Sequence, residues 1–180
     1  MHKRIAKFLT PAAVLGVALL AASAGLATAA VKPAGGVVHV YEADPSLASP
    51  VGNVILTGAI TDHGKDREGV AGGGTINRLV LSKGSFEVNT VKLDDSPPPP
   101  VNGFSCSFAG SLTGPTSIVK GSGTRAYKGI SGTIRITVTE AGILPRLKSG
   151  KCNESPSAVP LAGVALVRGS GKVFLPVAAG

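Results

Sequence analysis

The chain has 180 residues, with 18 Lys and Arg against 10 Asp and Glu, a net charge of +8, two Tyr, five Phe and no Trp. Its cations are scattered without a run of four, and nucleic-acid binding needs clustered cations and, for single strands, stacking aromatics, so nucleic acid is excluded as a partner. Two cysteines alone are too few for a zinc site and no His stands near either, so neither a metal nor a cofactor is expected.

His2-Lys3-Arg4 and Lys7 form a positive head, AAVLGVALLAASAGLA supplies an apolar run, and ATAA ends in small residues at Ala30. Residues 1–30 therefore read as a cleaved signal peptide and 31–180 as one secreted domain, in the medium or the cell envelope. The weak hydrophobicity of the run argues against a membrane anchor, and no Cys at the cleavage point offers a lipid site. No later segment has the roughly 18 apolar residues needed to cross a bilayer. Three cations and no acid leave with the leader, so the remaining 150 residues carry +5.

From Val37 the pattern has a period of two, the signature of strands with one buried face. VVHVYE (Val37 to Glu42) comes first, then NVILTGAIT. TINRLVL and SFEVNTVKL flank Ser82-Lys83-Gly84 as a hairpin, and a bulge near Asn89 or Thr90 would repair the change of phase between Val88 and Val91. DDSPPPPVNG (Asp94 to Gly103) cannot join a ladder and reads as an extended surface crossing. FSCSFAGSL places Phe104, Cys106, Phe108 and Leu112 on one face, and TIRITVT opposes Ile134, Ile136 and Val138 to Thr133, Arg135 and Thr137. KSGKCNESPSAVP is a long polar loop, and LAGVALV and KVFLPV close the chain. About nine short strands separated by Gly-rich turns indicate an antiparallel sandwich or barrel. After the leader, 23 glycines remain in 150 residues, about twice the usual share, as strands that curl tightly require.

An exported chain meets an oxidising environment, so Cys106 and Cys152 are expected to pair. Closing that loop would stabilise the fold by about 4 kcal/mol on the chain-entropy model.

The glycines of GSGTRAYKGISGTIRITVTE do not form a nucleotide fingerprint, because Ala126 stands where the third Gly is needed and a strand follows instead of a helix. GSGK (Gly169 to Lys172) fails as a phosphate loop at Leu166 and Val173. With those excluded, GSGTRAYKGISGTIRI resembles the Gly-x-Gly-x-aromatic-x-Gly-x-x-Gly signature of the allene oxide cyclase and dirigent barrel superfamily, and VYEADP (Val40 to Pro45) is similar to the opening strand of the cyclases. The stretch TGAITDHGKDREGVAGGGTINRLVLSKGSFEV is also similar to a group of small exported actinobacterial proteins. The resemblance implies an all-β fold, a single closed antiparallel barrel of about eight strands, either filled by side chains or holding one small ligand. Its cyclase members isomerise a fatty-acid epoxide and its dirigent members steer phenoxy-radical coupling; Glu42, beside the matching strand, is the one residue it points to.

Candidate site residues fall in two groups. His39 and Tyr41 share one face of the first strand and Glu42 lies on the other; with Tyr127 they are candidates for contact with a ligand, although an outward His39 face would make two of them ordinary surface groups. TDHGKDREG holds Asp62, His63, Asp66 and Glu68, which read as a solvated turn, with calcium binding or His-based catalysis as alternatives. No Gly-x-Ser-x-Gly elbow is present. The expected protein is a secreted, non-enzymatic barrel that binds a small apolar ligand or serves as an extracellular interaction module. The alternative is an isomerase or cyclase working in an apolar cavity. The oligomeric state is not readable.

Overall fold

Eight strands follow one another around a closed antiparallel barrel, each paired with its neighbours in sequence, and the last returns to the first. They are β1 (Ala34–Asp44), β2 (Val51–Gly58), β3 (Asp62–Ala71), β4 (Ile76–Leu81), β5 (Gly84–Asn89), β6 (Ser107–Ile118), β7 (Ser131–Ile143) and β8 (Ala162–Leu175). This computed structural model describes residues 34–48, 51–71, 74–94, 97–155 and 157–176, so the expected signal peptide lies outside the described residues. Among those residues no helix is long and apolar enough to cross a membrane.

Closure follows from the alternation. Every strand must bury one face, and a sheet curled on itself buries all of these faces in one lumen while joining its first strand to its last. Val38 and Val40, Val54 and Leu56, Leu79 and Leu81, and Phe86 and Val88 all turn inward. The seam is the β1–β8 ladder, which runs from Ala34↔Leu175 to Asp44↔Ala165. One joint is short: β5 meets β6 only through Val88↔Ile118 and Asn89↔Ser117.

Four local expectations change. TDHGKDREG is not a turn but the body of β3, paired with β2 from Leu56↔Asp62 to Val51↔Arg67. LAGVALV and KVFLPV are one strand, because Gly169 and Gly171 let β8 run close against β7, where a Cβ at Gly171 would collide with the backbone of Thr133 and Ile134. After Asn89 the chain forms a single helical turn, α1 (Val91–Asp94), which buries Leu93; this turn, not a bulge, accounts for the change of phase. FSCSF is not extended from its start: Cys106 has a φ of 57° and Phe104 is 92% exposed. The Ser82-Lys83 hairpin joins β4 and β5 as expected.

The GSGTRAYKGIS stretch is a corner. Gly121 and Gly129 take positive φ values of 80° and 78°. Between them a 3-10 turn (Arg125–Tyr127) drops Tyr127 into the barrel, edge-on to Phe86 with ring centroids 5.4 Å apart. Around this pair Val38, Val54, Leu56, Ile130 and Val173 are each 1% exposed, so this end of the lumen is packed solid. Each such side chain contributes roughly 1.5–3 kcal/mol by leaving water.

Candidate functional site

The other end of the lumen is hollow. A cavity of about 930 Å³ opens there, walled by Val40 (β1), Leu79 (β4), Val88 (β5), Ile136 and Val138 (β7) and Val167 (β8). Small-molecule sites usually span about 300–1,000 Å³. Residues 98–101 of the proline-rich segment line it from one side; Glu154, Ser155, Ala158 and Pro160 line it from the long loop before β8. The proline-rich segment crosses close over β6, where a Cβ on Gly110 would strike Pro99.

Cys106 and Cys152 form a disulfide with a Cα–Cα distance of 5.3 Å. It ties the entry to β6 to the loop between β7 and β8, so both segments lining the mouth hang from one crosslink.

The polar side of the cavity is made of carboxylates. On β1, Glu42 and Asp44 continue the inward face of Val38 and Val40 and are 8% and 4% exposed. On β3, Asp66 (5% exposed) and Glu68 line the same space. The sequence of β3 alternates charge sign with the pleat: Asp62, Asp66 and Glu68 fall on the inward face, His63, Lys65 and Arg67 on the outward one. Glu42, Asp44 and Glu68 offer oxygens within 4.8 Å of one another. Asn77 on β4 donates to Asp66 Oδ2 at 3.2 Å. Glu42 Oε1, Asp44 Oδ1 and Asp66 Oδ1 are buried with no hydrogen-bond partner but one another among the described residues. None of the four acids forms an ion pair there; the only ion pair among the described residues joins Arg78 to Glu87 on the outside. Gly52 of β2 is the floor, since a Cβ there would run into Asp44 Oδ1 and Glu42 Oε1.

Crowding like charges in a dry space disfavours ionisation. Burial first, then the charges of Asp66, Asp44 and Glu68, push the Glu42 carboxyl up to about 10. Glu68 keeps an exposed side chain, and partial burial with the charges of Asp44, Asp66 and Glu140 raises it to about 7. Burial also raises Asp44, against a hydrogen bond from Glu42, and Asp66, against hydrogen bonds from Asn77 and Glu42. At neutral pH Glu42 therefore holds a proton.

Asp62 lies on the same face of β3 but in the packed end, and its chemistry is opposite. Burial would raise it, but this is outweighed by hydrogen bonds from the Ser82 hydroxyl, the Tyr127 phenol and the backbone N–H groups of His63 and Lys83, leaving Asp62 well below the usual carboxylate range. It is a structural carboxylate.

Of the candidates taken from the sequence, Glu42, Asp66 and Glu68 meet at the cavity, Asp62 and Tyr127 meet in the packed end, and His39, Tyr41 and His63 face outward. Three further lining residues, Asp44, Asn77 and Glu140, were not singled out. Asp44 was within reach, because it shares the alternation that places Glu42 with Val38 and Val40.

Comparison of the chain with protein-family models, curated proteins and solved structures finds no match.

Proposed function

We propose that the protein is an exported binding barrel that carries a small, largely apolar ligand in the open half of its lumen. The observation that carries this is the cavity of about 930 Å³, walled by Val, Leu and Ile side chains from six strands. Filling such a chamber with a ligand removes apolar surface from water on both partners. Export is supported by the charged and apolar N-terminal pattern and by the Cys106–Cys152 bond, of a kind that persists in oxidising compartments. The likeness of GSGTRAYKGISGTIRI to cyclase and dirigent barrels belongs to the same proposal and agrees with an eight-stranded closed barrel.

The test is titration with a neutral, environment-sensitive fluorophore such as N-phenyl-1-naphthylamine. A saturable, one-to-one gain in emission is expected, and Ala165→Phe, which projects a ring into the cavity from β8, should abolish it while the protein stays folded. Emission that never saturates, or that ignores Ala165→Phe, defeats the reading.

One observation favours an enzyme as a second reading. A carboxyl group that stays protonated at neutral pH beside an apolar chamber is a proton donor, and Glu42 is such a group. Isomerisation of an apolar epoxide, followed by chiral chromatography and lost in Glu42→Gln, would support it.

A further inference from the structure

The ten acids of the chain are not spread evenly. Six of them, Glu42, Asp44, Asp66, Glu68, Glu140 and Glu154, line the cavity, whereas no Lys or Arg among the described residues does. A protein of net positive charge thus gathers negative charge around this cavity, with Glu42, Asp44 and Asp66 buried and Glu68 and Glu154 exposed. In a low-dielectric cleft of one sign, field lines concentrate and attract the opposite charge.

An acidic cluster can be a mere accident of packing, but these acids carry a second feature. Glu42, Asp44 and Asp66 are each more than nine-tenths buried, line the cavity, and keep one oxygen with no donor among the described residues outside the cluster itself. Buried acceptors are nearly always paired, and each orphan marks a place for a missing partner. Here three such oxygens, from β1 and β3 on either side of Gly52 in β2, have only the proton of Glu42 to share among them, so a single donor group with several N–H bonds could serve them together.

Two kinds of cation fit carboxylates. Calcium would satisfy the oxygens with six to eight ligands, but it would leave the apolar chamber beyond them without a role. An ammonium group has up to three donors and a hydrocarbon body attached, and it uses both halves of the space.

We propose that the ligand of this cavity is a cationic amphiphile, a protonated amine seated among Glu42, Asp44, Asp66 and Glu68 with its apolar body along Leu79, Val88 and Ile136. The proposal rests on the binding-barrel reading above and adds the charge of the headgroup.

The experiment holds the tail constant and changes the head. Purified protein, with its disulfide intact and loaded with N-phenyl-1-naphthylamine, is titrated at neutral pH with dodecylamine, dodecanol and dodecanoate. Dodecylamine is expected to displace the fluorophore at a concentration at least tenfold below dodecanol, with dodecanoate weakest. In the triple variant Glu42→Gln, Asp44→Asn, Asp66→Asn the ratio of amine to alcohol should fall towards one. Equal displacement by all three compounds, or a preference for dodecanoate, overturns the cationic headgroup while leaving the binding barrel standing. A fluorophore that does not bind at all overturns the barrel reading itself, and this inference with it. Calcium chloride alone is the remaining arm: saturable heat at micromolar calcium, lost in the triple variant, assigns the carboxylates to a metal and overturns the amine.

Discussion

The Tyr127 phenol donates a 2.5 Å hydrogen bond to Asp62, joining the corner before β7 to the first residue of β3 across 65 positions of sequence. Asp62 is an ionised acceptor in a buried setting, so the bond is charge-assisted and stronger than a neutral one. Tyr127→Phe keeps the ring against Phe86 and removes only the hydroxyl. We expect a loss of about 1.5–3 kcal/mol in urea denaturation, with fluorophore binding at the far end unchanged. A loss below about 0.5 kcal/mol would mean that the bond does not hold the corner.

Stability should depend on pH with opposite signs at the two ends of the lumen. Asp62 has a depressed value, so its contribution is complete above its unfolded value and is lost as the medium becomes strongly acidic. Glu42 and Glu68, raised to about 10 and about 7, behave in reverse: above their unfolded value of 4.5 the folded state binds more protons, and stability falls as pH rises through those values. Calorimetric scans should give the highest Tm near pH 4–5. Glu42→Gln should flatten the alkaline slope, and each 1 kcal/mol regained at pH 9 moves Tm by roughly 2–4 °C. A wild-type Tm that rises steadily from pH 5 to 9 contradicts this account.

The same protons report on binding. If an ammonium takes its place beside Glu42, with Asp44, Asp66 and Glu68 around it, the Glu42 carboxyl must ionise. Titration of dodecylamine at pH 6.5 in phosphate and in Tris should differ in heat by about one buffer protonation per ligand. Identical heats in the two buffers would place the amine elsewhere.

Gly52→Ala tests the floor of the cluster. The added methyl would meet the ends of the Asp44 and Glu42 side chains, which can swing only into the cavity. We expect a modest destabilisation of about 1–3 kcal/mol, as for other overpacked sites, and at least a tenfold loss of amine affinity. Urea denaturation and fluorophore displacement read the two effects separately.

Removing the crosslink should affect the mouth before the barrel. Cys106→Ser with Cys152→Ser is expected to cost up to about 4 kcal/mol, and faster fluorophore release in stopped flow should accompany it, because residues 98–101 and the facing Glu154, Ser155, Ala158 and Pro160 would lose their common tether. Unchanged release with lowered stability would separate the crosslink from ligand retention.

The barrel was legible because its strands repeat at a period of two and its turns carry glycine, and both signals are local. The carboxylate cluster was only half legible. Glu42 stood out on β1 beside inward valines, but β3 was missed as a strand because its alternation is in charge sign, not hydropathy: Asp62, Asp66 and Glu68 against His63, Lys65 and Arg67. A stretch so polar looks solvated until the acids are seen to share a face. Tyr127 was taken for a ligand contact, and nothing near it in sequence announces Asp62, since that pairing exists only once the barrel has closed. The merging of two segments into β8 depends likewise on the close approach of β7 at Gly171.

Because Phe86, Tyr127 and their neighbours plug one end, the lumen is a blind tube. A guest of the kind proposed would have to back out by the door through which it came, and its dwell time would answer to the proline strap and the facing loop more than to the depth of the chamber. Turnover could then be retuned by changing a few rim residues while the woven cylinder beneath stays as it is.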